Sequence, residues 1–144
     1  MTTTTPEQAE RRLKLLLGLL MFWDTGLGLI ALFAPHGFET WVNLTPQDEP
    51  MFRRVTGVYL CFGGFYQFLG WRNPRKYVLA VQLIILFRIT GAMIEATEAS
   101  LIRPFGLIPH ALLVFVTVGD LVFAWIKARY LRLMGLPWFD ISRT

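Results

Sequence analysis

The stretch from Leu15 to Ala34, LLLGLLMFWDTGLGLIALFA, decides how this chain folds. It holds twenty residues with a single charge, Asp24. At about 1.5 Å rise per residue such a helix reaches roughly 30 Å, the thickness of the hydrocarbon core of a bilayer. Arg11, Arg12 and Lys14 precede it, and Pro6 suits the first turn of a helix that starts ahead of them. A signal peptide also has a basic start and an apolar middle. This stretch is longer than such a middle and lacks a small-residue cleavage pattern, so it is expected to remain as a membrane-spanning helix.

Working outward, Pro35 and Gly37 end the first span, and residues 35–52 are amphipathic, with Phe38, Trp41, Val42 and Leu44 among Glu39, Asp48 and Glu49. Tryptophan favours the membrane interface, so a short interfacial segment is expected there. Further apolar runs cover about 55–71, 77–97 and 108–126. The tight basic turn Arg72-Asn73-Pro74-Arg75-Lys76 separates the second from the third, and Pro104 and Gly106 mark the loop before the fourth. From Lys127 the chain continues as a basic helix that breaks near Gly135 and Pro137, with Trp138 and Phe139 able to fold back.

Composition agrees. The 144 residues are 54% hydrophobic and only 17% charged, where soluble domains carry about 25% charged residues. The expected architecture is a single all-α domain, a bundle of four transmembrane helices. Ten Lys and Arg fall on the side of the termini and the middle turn, against Arg53, Arg54 and Arg103 on the other. By the positive-inside rule both termini are then cytoplasmic. The net charge of +4 follows from that topology and not from nucleic-acid binding.

Ionisable residues inside a bilayer need partners, at a cost of roughly 2.5–3.5 kcal/mol each. Asp24 and Arg88 lie near the middle of the first and third spans, and Asp120 lies in the cytoplasmic half of the fourth. Arg88 can sit between the two carboxylates, because its planar fork suits bridging. A second group, Arg54, Glu95 and His110, gathers at the outer ends. Three roles remain open for these residues: structural pairing, binding of a ligand, or exchange of protons or ions. Gly57, Cys61 and Gly64 share one helix face and allow close helix approach, within the chain or against a partner. The echo of Arg54-Val55-Thr56-Gly57 in Arg88-Ile89-Thr90-Gly91 sits at unequal depths and reads as coincidence.

One cysteine and two histidines exclude an internal disulfide and any Cys- or His-rich metal cluster. No phosphate-binding loop, dinucleotide fingerprint, zinc-protease or hydrolase motif is present, so no cofactor is expected.

The run Gly26-Leu27-Gly28-Leu29-Ile30-Ala31-Leu32-Phe33-Ala34-Pro35, then Arg54 with Gly57 and the basic Pro-containing turn, resembles the small four-helix bacterial membrane proteins of the DoxX-like families. The resemblance covers roughly residues 15–130. It implies a compact four-helix bundle acting as a membrane subunit beside redox partners, among them quinone-linked sulfur-oxidising and oxidative-stress assemblies. Cys61 alone departs from any mechanism that needs a cysteine pair, and no catalytic residue of such a family maps here. The four-helix sterol isomerases also use intramembrane carboxylates, without a motif match in this chain. The leading expectation is therefore a non-catalytic accessory subunit, as a homo-oligomer or in a larger membrane complex, with Gly57, Cys61 and Gly64 as the interface. The alternative is a membrane-embedded enzyme or binder of a lipophilic ligand of the quinone or isoprenoid class, using the Asp/Arg/Glu cluster.

Overall fold

Thr5 starts the first helix by a capping box. Its hydroxyl accepts from the Gln8 backbone N–H at 3.3 Å while the Gln8 side chain accepts from the Thr5 N–H at 3.2 Å. Two of the donors that a helix start leaves unpaired are thereby satisfied, and Pro6 follows at the first helical position. The structure of the protein is a computed structural model that describes residues 4–37, 51–101 and 107–138, without side chains at 52–53, 94–95, 97–101 and 107–113. The long elements are α1 (Pro6–Phe33), α2 (Met51–Arg72), α3 (Val78–Leu101) and α4 (Leu107–Leu133). Among the described residues there is no strand, and the fold is all-α. Most of the expected interfacial segment, 38–50, lies outside the described residues.

The helices contact one another in chain order around a ring, and α4 returns to α1. Opposed pairs show that sequence neighbours run antiparallel. Gly18 faces Trp71, Thr25 faces Gly64 and Gly28 faces Cys61; Gly63 faces Ile84; Arg88 meets Asp120. Between α1 and α2 the backbones nearly touch. A Cβ on Gly28 would stand 2.8 Å from the Gly57 carbonyl oxygen, and one on Gly57 would stand 2.7 Å from that of Gly28. The small-residue face of Gly57, Cys61 and Gly64 is thus covered by α1 of the same chain. An interface with a partner along this face is corrected accordingly, because no second helix fits where α1 already lies.

Asn73 closes the turn between α2 and α3 by accepting the Lys76 backbone N–H on its side chain at 3.0 Å. Glu10 ties the start of α1 to that turn through Arg75 at 2.8 Å and pairs with Lys14 one turn along its own helix at 3.0 Å. The end of α4 is a Schellman motif. Gly135 has φ 73°, its N–H donates to the Arg132 carbonyl at 2.9 Å, and the Leu136 N–H donates to Leu131 at 2.9 Å. The chain then folds back onto α3, where the Gln82 side chain donates to the Pro137 carbonyl at 2.8 Å.

Several polar side chains are buried and many large apolar ones are exposed. Asp24, Gln67, Gln82, Asp120 and Lys127 are buried, while Phe22, Phe33 and Phe115 are 74%, 81% and 75% exposed. Apolar contacts among Ala9, Leu13, Leu17, Ile84, Ile85 and Leu131 form the core at the end of the bundle holding the start of α1 and the end of α4. Among the described residues one helix, Pro6–Phe33, is long and apolar enough to cross a membrane, and Val78–Met93 is a shorter apolar stretch. α2 is interrupted by glycines, Gln67 and arginines at both ends, which lowers its hydropathy. The side chains of the first turns of α4 lie outside the described residues.

Candidate functional site

Each helix sends one polar side chain to a common centre: Asp24 from α1, Gln67 from α2, Arg88 from α3 and Asp120 from α4. Arg88 donates through one terminal nitrogen to Asp120 Oδ1 at 2.6 Å and through the other to Asp24 Oδ2. Gln67 Nε2 donates to the same Asp24 oxygen at 2.5 Å. The side chains of Asp24, Arg88 and Asp120 are 4%, 12% and 12% exposed. Glycines border the carboxylates without being required for space: a Cβ on Gly63 would lie in ordinary contact 3.6 Å from Asp24 Oδ2, and one on Gly91 would lie 3.5 Å from Asp120 Oδ2. Tyr59 braces the arginine's helix by donating to the Phe87 carbonyl at 3.0 Å while its ring stacks on Phe87 at 3.9 Å.

Two members of this centre escape a reading of the sequence. Gln67 is one amide in an aromatic-rich run. Lys127 was expected among the cytoplasmic tail charges, but it is fully buried. Its spacing carried the signal. Lys127 lies seven residues after Asp120, on the same helix face, and its side chain leans back toward that residue. With Lys127 included, the buried centre holds two carboxylates and two cations. Among the described residues three buried side-chain atoms have no hydrogen-bond partner: Gln67 Oε1, Arg88 Nε and Lys127 Nζ.

Arg54 is exposed, whereas the side chains of Glu95 and His110 lie outside the described residues. Cys61 packs beside Gly28. Among the described residues no group of three or more His, Cys, Asp and Glu is placed to hold a metal ion.

A second feature lies on the outer side of α3 and α4. A cleft of about 470 Å³ runs between them, floored by Ile85, Ile89, Leu121 and Ala124. Trp125 and Trp138 wall it, and Arg129 and Arg132 stand at its rim. Arg129 lies 5.4 Å from the Trp125 ring centre, and Arg132 lies 5.7 Å from that of Trp138. The folded-back tail supplies Trp138, so the cleft depends on the Schellman turn and on the Gln82–Pro137 hydrogen bond. Arg88 and Asp120 belong to the same two helices as its floor, and their ion pair fixes the spacing of the walls.

Comparison of the chain with protein-family models, with curated proteins and with solved structures returns no match. Geometry alone therefore carries the functional reading.

Proposed function

We propose that this chain is a four-span protein of a bacterial inner membrane, with both termini cytoplasmic, that binds a lipophilic ligand in the cleft between α3 and α4. The cleft is the observation that carries the reading. Its volume falls within the roughly 300–1,000 Å³ typical of ligand sites, and its lining is apolar with charge only at the rim. The buried ionic centre supports it indirectly, by locking four helices into the arrangement that leaves the cleft open. Exposed aromatics all around the bundle and the excess of cations on the terminal side support the four-span topology.

The sequence favoured an accessory subunit docked through Gly57, Cys61 and Gly64, and α1 now occupies that face. What still favours a subunit role is the outward apolar surface of α1, where Leu19, Phe22, Trp23 and Phe33 are exposed. The DoxX-like resemblance points the same way. Native mass spectrometry of the protein in discs of its own membrane separates the two readings. A monomer or homo-oligomer carrying one stoichiometric lipophilic mass supports the ligand reading. A heteromeric mass with no such ligand makes the chain an accessory subunit.

A further inference from the structure

We infer that the occupant of the α3–α4 cleft is an anionic phospholipid of the cytoplasmic leaflet, held by its phosphate at Arg129 and Arg132. This rests on the cleft being a lipophile site and adds the chemistry of the head group. Arg129 and Arg132 are three residues apart on α4, hence neighbours on one helix face. Each guanidinium carbon lies over a tryptophan ring, 5.4 Å and 5.7 Å from the ring centres, and the fork of N–H groups it carries suits a bidentate oxyanion. Among the described residues neither guanidinium has a carboxylate partner, and no acidic side chain lines the cleft.

The depth of the groove selects a lipid over a free phosphate. Leu121 at its inner end and Arg132 at its rim are eleven residues apart, about 16 Å along the helix. One leaflet of hydrocarbon is about 15 Å deep, half of the 30 Å core. A phosphate at the arginines thus places one acyl chain along Ile85, Ile89 and Leu121, with the head group at the level where tryptophans and cations gather. A quinone would leave both arginines without an anion.

The test uses the full chain in discs of phosphatidylcholine, to which phosphatidylglycerol, decaprenyl phosphate or a long-chain quinone is added. Native mass spectrometry then reads the lipid retained. The expected result is one phosphatidylglycerol retained in preference to phosphatidylcholine. Arg129→Gln and Arg132→Gln should each weaken that preference about fivefold, since a cation near an anionic head is worth about 1 kcal/mol. Both substitutions are at exposed positions and leave the fold intact. Leu121→Trp, which fills the groove, should abolish retention of every amphiphile. Equal retention of both phospholipids, or no effect of the glutamines, overturns the head-group assignment. If the quinone is then retained and lost in Leu121→Trp, the cleft survives as a lipophile site. Displacement of phosphatidylglycerol by equimolar decaprenyl phosphate overturns the phospholipid in favour of an isoprenyl phosphate. Retention unchanged by Leu121→Trp removes the cleft as a site and both readings with it.

Discussion

Replacing Arg88 with methionine removes the one group that joins Asp24 on α1 to Asp120 on α4. At an effective dielectric near 20, unit charges 4 Å apart attract by about 4 kcal/mol. Desolvation offsets much of that, so the intact triad is close to neutral against a well-packed apolar substitute. The broken triad is not neutral. Two carboxylates that are 4% and 12% exposed then face each other with only Lys127 nearby, whose Nζ hydrogen-bonds neither, and breaking a buried pair costs about 3–5 kcal/mol. An ordinary interhelical hydrogen bond in a bilayer is worth only about 0.6 kcal/mol, so the two cases are well separated. The assay is reversible denaturation of the purified protein in mild micelles, followed by tryptophan fluorescence. Arg88→Met should lose about 3–5 kcal/mol, and Asp24→Asn with Asp120→Asn in the same chain should recover more than half of it, because the groups are coupled. A single variant within about 1 kcal/mol of the parent would refute the reasoning, as would a triple variant no better than the single.

Close approach of α1 and α2 predicts that Gly57→Ala loses about 1–3 kcal/mol, whereas Gly26→Ala, with nothing within 4 Å, gains about 0.5–1 kcal/mol in the same denaturation assay. Equal effects would show that the contact is loose. Lys127→Met keeps the length of the side chain and removes a buried ammonium that has no partner, so stability should rise by about 1–3 kcal/mol. A fall would mean that Nζ engages one of the carboxylates. Glu10 lies on the part of α1 that precedes the span, and its carboxyl is held below the ordinary 4.5 by Lys14 and then Arg75. Its contribution is therefore full above pH 4.5 and fades as pH falls through the lowered value. The melting difference between the parent and Glu10→Gln should shrink on acidification, and a widening difference would reverse the sign of the argument.

Much of this architecture was legible because long apolar runs bounded by charges and prolines write large signals. The apolar runs at 15–34, 55–71, 77–97 and 108–126 fall on the four helices, and Pro6 and Gly135 mark a start and a stop for steric reasons. Asp24, Arg88 and Asp120 were found because each is a lone charge within a long apolar run, where a charge needs a partner. Gln67 and Lys127 were missed for different reasons. An amide carries no charge to mark it, and a lysine one residue past an apolar run looks like a solvent-side cation until its face is compared with that of Asp120. The cleft was not legible at all. It depends on the tail folding back from Gly135 so that Trp138 lines the same cleft as Trp125, a position held by the Pro137 carbonyl and a glutamine 55 residues earlier.

Topology tests the central claim most directly. In a Cys61→Ser background, single cysteines at Thr4, Thr45, Asn73, Ser100 and Ser142 are labelled in intact spheroplasts with a membrane-impermeant maleimide. The four-span account predicts labelling at Thr45 and Ser100 from outside, and at Thr4, Asn73 and Ser142 only after the membrane is opened. Labelling of Asn73 from outside would contradict it, because the turn between α2 and α3 could not then lie on the side of the termini.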